Sequence, residues 1–137
     1  MVDEQRVQRL LRRVLDDVDT LRSLGGAADP SEPVRLGAIK YAFVTSIEGC
    51  VRVAQHLGAS EGWRAPDSNA AAFDVLAEHG VVDTELGTRL SRAVGFRNLL
   101  VHQYADIDDR RVVGMLGEVD DLESFVDAIG AWLEQQR

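Results

Sequence analysis

The sequence predicts an all-α protein, an antiparallel bundle of four to five helices in a single domain spanning residues 1–137. Three observations predict it. Apolar residues recur at helical spacing almost everywhere, no alternating pattern persists long enough for a strand, and capping residues and glycines divide the chain into helix-length segments. Val7, Leu10, Leu11, Val14, Val18 and Leu21 mark a first amphipathic helix ending near Gly25 and Gly26. Residues 25–33 read as a loop, with Ser31 as the cap of the next helix and Pro33 in its opening turn. Leu36, Ile39, Phe43, Ile47, Cys50, Ala54 and Leu57 line a long second helix expected to stop at Gly58. A connector containing Trp63 and Pro66 ends in Asp67 and Ser68, which can cap a short third helix through Phe73 and Leu76, terminated by Gly80. Asp83 caps a fourth helix carrying Leu86, Leu90, Ala93 and Val94. After a polar break at 105–109, Val112, Leu116, Val119, Leu122, Val126, Ile129 and Leu133 describe one last helix at near-heptad spacing. Such a bundle leaves faces available for a partner.

Composition narrows the function. With 45% hydrophobic and 28% charged residues in 137, the chain suits one soluble domain with a substantial core. No apolar run is long enough to span a membrane, and the first residues lack a signal-peptide pattern, so a cytoplasmic protein is expected. Cys50 is the only cysteine, which excludes an internal disulfide and a thiolate zinc site within one chain; its apolar face with Ile47 and Ala54 predicts a buried thiol. A net charge of −8 argues against a sequence-blind RNA binder, whose affinity comes from neutralising phosphates. It argues less against an enzyme with a small local site, because only the nearby potential acts on one scissile phosphate. Fourteen of the 15 basic residues are arginine, and Arg89, Arg92, Arg97, Arg110 and Arg111 cluster in the C-terminal half.

The most informative stretch runs from Arg97 through Asn98 and His102 to Tyr104. Arginine keeps its charge and forks two donors toward a phosphate, while histidine exchanges a proton near neutrality. A phosphate clamp close to an acid/base group suits metal-free RNA cleavage, in which the ribose 2′-hydroxyl is activated and charge on the phosphorus oxygens is stabilised. Continuing the fourth helix puts Arg97 on its core-facing stripe with Tyr104 on the same side. His102 then lies about 140° away, and convergence requires either that the helix end or distort near it or that the long Arg97 side chain fold back. Each residue also has a structural reading: Arg97 lays its stem on the core and bridges to an acid, Asn98 is surface, and His102 satisfies a carbonyl. His56 and His79, each placed in a last helical turn before a glycine, read as structural, as do Trp63 and Arg64 as loop anchors. The carboxylates Asp106, Asp108 and Asp109 read as capping groups for the last helix.

The run GFRNLLVHQYADID resembles the signature of HepT-like proteins of the HEPN superfamily, R-x4-H-x-Y with a polar residue after the arginine. Arg97, Asn98, His102 and Tyr104 match it position for position, and the likeness extends over about residues 41–133. The resemblance implies an all-helical homodimer whose two motifs line one cleft, acting as a metal-independent endoribonuclease toxin with no cofactor. Two chains also answer a chemical need, since in-line cleavage uses a base and an acid while one chain offers one histidine at the motif. On this likeness His102 is the acid/base group, Arg97 stabilises the phosphorane, and Asn98 orients the phosphate or His102. The product is expected to carry a 2′,3′-cyclic phosphate. The resemblance further implies an antitoxin partner, a nucleotidyltransferase of the MntA type that silences the toxin by transferring AMP to Tyr104. Tyr104 can otherwise serve as a phosphate contact within the cleft. A non-catalytic HEPN module, scaffold or substrate of such a nucleotidyltransferase, is the alternative from a different class.

Overall fold

The computed structural model describes residues 1–137 as six α-helices and no strand. They are α1 (Glu4–Gly25), α2 (Pro33–Glu61), α3 (Ala71–Glu78), α4 (Thr84–His102), α5 (Asp109–Met115) and α6 (Val119–Gln135), with a 3-10 turn, Leu116–Glu118, before α6. The bundle has the expected character, but its last expected helix is two helices joined by that turn.

Local chemistry explains most boundaries. The Asp3 carboxylate accepts the Arg6 N–H and starts α1; the Asp83 carboxylate accepts the Leu86 N–H at 2.7 Å and starts α4. Ser31 does not cap α2. Its hydroxyl donates to Asp29 at 2.6 Å, and the Glu32 carboxylate accepts the N–H groups of Val34 and Arg35, with Pro33 in the first turn. These bonds hold the Glu32 carboxyl below the usual glutamate range. Nor does α2 stop at Gly58. It continues to Glu61, where Gly62 takes the left-handed conformation (φ 71°) while its N–H reaches Ala59 O and that of Trp63 reaches Gly58 O. This is a Schellman closure, and Gly80 (φ 73°) closes α3 likewise as expected. Ser68 Oγ accepts the Ala71 N–H at the start of α3.

The interruption at Leu116–Glu118 falls where Gly114 and Gly117 lower helix propensity. Bending there buries Val112 in α5 and Val119 in α6, while Leu116 is only half-buried. On α6 Phe125 and Ile129 are fully buried, and Val126, expected in the core, is half-buried.

Packing is organised around α2, which touches α1, α3, α4 and α6. Gly49 lets α1 approach: a Cβ there would lie 2.9 Å from Val14 Cγ2. Phe43 meets Phe96 edge to face at 5.3 Å, tying α2 to α4, and Phe73 meets Phe125 at 5.7 Å, tying α3 to α6. Such pairs contribute about 0.5–1.5 kcal/mol each beyond the area they bury. Cys50 is fully buried, which pushes its thiol pKa far up. His56 is not in a last turn; its Nε2 accepts the Asp3 N–H at 3.0 Å and fastens the start of α1 to α2. Trp63 stacks on His79 at 4.0 Å and meets Trp132 edge-on at 6.0 Å, while Arg64 pairs with Glu78 at 2.7 Å, so the connector is anchored as expected. No helix is long and apolar enough to cross a membrane.

Candidate active site

The fourth helix runs unbroken to His102, its last residue. Because each residue turns the helix by about 100°, Asn98 and His102 share a face whereas Arg97 points roughly 140° from His102. Burial follows this geometry: Asn98, Val101 and His102 are exposed and Arg97 is half-buried against α2. Helix distortion therefore does not bring Arg97 and His102 onto one face of a single chain.

Arg97 occupies the core-side position that its spacing predicts and meets an acid there. Its Nη2 lies 3.7 Å from Glu48 Oε2, and its Nη1 donates to Asn98 Oδ1 at 3.1 Å. Glu48 also accepts from Arg52 at 3.1 Å, so the carboxylate is shared by two guanidiniums. An arginine in such a shared contact retains donors for a phosphate oxygen. The bond from Arg97 fixes the orientation of the Asn98 amide, leaving its NH₂ as a free donor on the His102 face.

Tyr104 does not continue the stripe of α4. The helix ends two residues earlier, and the chain turns so that the phenol donates to Gly37 O on α2 at a long 3.5 Å. Lys40 lies beneath it. Its Nζ donates to Tyr104 O at 3.0 Å, stands 4.7 Å from the centre of the ring, and reaches Asp109 at 4.0 Å. Lys40 is buried at 8% exposure, while Tyr104 remains 48% exposed. The phenol is thus held from below and open from above. Arg97 and Tyr104 are anchored at separate points of α2, Glu48 and Lys40, which are eight residues or about 12 Å of helix apart.

Lys40 and Glu48 were not among the residues expected at the site. Lys40 had a legible signal: it is the only lysine beside fourteen arginines and follows Ile39 on a helix whose apolar stripe begins at Leu36. An ammonium is compact enough to sit under a ring and bond one carbonyl, where a planar guanidinium demands more room. Of the acidic run, Asp108 caps α5 through the Arg110 N–H and pairs with the Arg110 side chain, and Asp109 faces Lys40.

The helical bundle with R-x4-H-x-Y closing α4 is the arrangement that the sequence resemblance implies, and it defines the class of protein. The chain belongs to the Ribonuclease HepT-like family, whose match covers residues 2–129. It is similar to the mRNA nuclease HepT of Shewanella oneidensis, 31% identical over 85 residues, covering 61% of this chain and 64% of that protein. A putative RNase of Archaeoglobus fulgidus is 32% identical over 87 residues, covering 64% of this chain and 65% of that one. The chain thus matches just under two thirds of the length of these relatives. Among solved structures, the tri-AMPylated Shewanella oneidensis HEPN toxin in complex with MNT antitoxin has the same fold, with a TM-score of 0.85 at 22% identity over 96% of this chain and 99% of that one. The cytosolic protein YutE of Bacillus subtilis, of unknown function, superposes with a TM-score of 0.87 at 20% identity over 98% of this chain and 93% of that one.

Proposed function

We propose that the protein is a metal-independent endoribonuclease toxin, active in the cytoplasm as a homodimer and silenced by a nucleotidyltransferase antitoxin of the MntA type. The observation that carries this reading is the division of the motif over α4: His102 and the Asn98 amide face solvent at the helix end, while Arg97 faces away beside Glu48. A second copy supplies the missing half. Two exposed α4 ends meeting across a twofold axis bring together two imidazoles, one to take the 2′-hydroxyl proton and one to protonate the leaving 5′-oxygen. The O2′–P bond forms as the P–O5′ bond breaks, leaving a 2′,3′-cyclic phosphate and a free 5′-hydroxyl. Arg97 stabilises the charge on the phosphorane and Asn98 orients it. Val34, Tyr41 and Val101 are exposed apolar residues on α2 and α4, suited to burial between copies.

Tyr104 fits the acceptor of AMP. Its ring is held by Lys40 and Gly37 yet half exposed, so the hydroxyl can attack the α-phosphorus of a nucleotide held by the antitoxin, with pyrophosphate leaving. The adduct adds negative charge and bulk on the path of the RNA backbone. Support comes from the S. oneidensis relative, named as an mRNA nuclease, and from the AMPylated toxin complexed with its antitoxin, whose fold this chain shares. The net charge of −8 favours a second reading, a non-catalytic HEPN module that serves as scaffold or substrate of the nucleotidyltransferase.

The test is incubation of purified, unmodified protein with total RNA in EDTA, beside His102→Ala, with fragment ends analysed. Cyclic-phosphate ends that disappear in the variant support the toxin. Equal inertness of both proteins, with intact mass showing Tyr104 free of AMP, refutes the nuclease and favours the scaffold; harmless overexpression of both would agree with that.

A further inference from the structure

A pocket of about 510 Å³ opens between α2, α4 and α5 and is closed at one end by the start of α6. Its floor is apolar, formed by Phe43, Phe96, Leu99 and Met115. Two arginines stand on its walls, Arg92 from α4 and Arg111 from α5, and neither is in an ion pair, whereas the neighbouring Arg89 is committed to Asp121 at 2.9 Å. Glu118 adds an unpaired carboxylate to the same lining. The lining therefore combines an apolar slot, two free cations on different elements, the Arg89–Asp121 ion pair and one unpaired carboxylate.

The position of this pocket on α4 connects it with the motif. Arg92, Gly95, Leu99 and His102 fall within a strip about 80° wide, and Leu99 precedes His102 by less than one turn, roughly 5 Å along the axis. The Gly95 and Leu99 edge of the pocket thus lies on the His102 side of the helix, while its Ala93 edge turns toward Arg97. Resting on the ribonuclease reading above, we infer that the pocket is a nucleotide subsite for single-stranded RNA beside the cleaved linkage. One base lies in the apolar slot, Arg92 and Arg111 bind the phosphates on either side of it, and Glu118 accepts a hydrogen bond from an exocyclic amine. Separated cations suit consecutive phosphates, whereas a fatty carboxylate would occupy one arginine and leave Glu118 unmatched. The acceptor favours the amino-bearing bases adenine, cytosine and guanine over uracil.

Gly95 gives a direct test, because a Cβ on this residue meets nothing within 4 Å and a larger side chain adds helix propensity while filling the pocket. Cleavage is measured with unmodified wild type, Gly95→Leu, the double variant Arg92→Gln/Arg111→Gln, and Glu118→Ala. The first two changes are expected to raise KM at least tenfold with kcat within threefold, and Glu118→Ala to abolish discrimination against uridine next to the cut. KM values within twofold of wild type and an unchanged cut pattern would overturn the subsite. A second readout is independent of cleavage: NMR titration of His102→Ala with AMP, UMP and decanoate. Saturable binding of AMP over UMP, lost in Gly95→Leu, upholds the pocket even if no RNA is cut and the nuclease reading fails. Preference for decanoate, or no nucleotide binding, overturns it.

Discussion

Lys40→Met separates the anchoring of Tyr104 from the stability of the whole bundle. Methionine keeps most of the buried stem and removes the ammonium, with its 3.0 Å bond to Tyr104 O and its place 4.7 Å from the ring. A hydrogen bond from a charged donor contributes about 1.5–3 kcal/mol and a cation–π contact on a partly exposed ring about 0.5–1 kcal/mol. The ion pair with Asp109, at 4.0 Å and with Asp109 half exposed, adds little. Against these losses stands relief from desolvating an ammonium that is 8% exposed, worth a similar amount. Global stability is therefore expected to change by less than about 1 kcal/mol, measured by urea unfolding. Opening the turn after α4 uncovers Lys40 and recovers only part of that relief, because the rest of the side chain stays packed on α2, while every bond lost belongs to the turn. Its opening free energy should fall by about 1 kcal/mol, a roughly fivefold loss of hydrogen-exchange protection. The reporters are the amides of Asp106 and Ile107, both bonded to Gln103 O. Protection unchanged within twofold at both amides, with the variant folded, would refute the claim that Lys40 holds this turn.

Two glycines should respond in opposite directions to the same change. Gly49→Ala drives a Cβ to 2.9 Å from the fully buried Val14 and should lower stability by about 1–3 kcal/mol, whereas Gly95→Ala meets open space and should raise it by about 0.5–1 kcal/mol, both read from urea midpoints. Cys50, buried with its thiol pKa pushed up, should resist iodoacetamide in the native protein at pH 8 and react fully once unfolded, as intact mass will show. The Glu32 carboxyl is depressed by the N–H groups it caps, so its contribution is present above the unfolded value of about 4.3 and lost as pH falls through the lower folded value. Glu32→Gln should therefore lose less stability than wild type on acidification from about pH 5 to pH 3, measured by urea unfolding at each pH.

The sequence was most legible where a short-range chemical signal coincided with the period of the helix. Asp83 and Gly80 mark real helix ends because a carboxylate at an N-terminus and a left-handed glycine at a C-terminus each satisfy backbone groups on the spot. Gly58 misled because a glycine inside a helix costs only about 1 kcal/mol, which packing along α2 outweighs, and the residue that must be left-handed is Gly62. The last helix looked continuous because a heptad pattern survives a bend; the two glycines that permit the bend were visible, but the need to bury Val112 and Val119 on separate helices was not. At the site, Arg97 on the inner stripe and His102 at the helix end follow from angular arithmetic. The burial of Lys40 under Tyr104 does not, since it joins residues 64 positions apart and depends on how the turn after α4 folds onto α2.

The stacking of Trp63 on His79 and against Trp132 determines what light can report about this molecule. Both tryptophans of the chain lie in that one cluster, just beyond the C-terminal end of α2, whereas Tyr104 rests on Gly37 near the other end, about 35 Å of helix away. Intrinsic emission excited at the indole band is therefore a probe of a single corner. It will follow unfolding, because that corner joins α2, α3 and α6; under the proposed function it should remain silent both to AMP transfer onto the phenol and to RNA binding beside His102. A change in indole emission on modification would mean that the bundle carries the event along its full length.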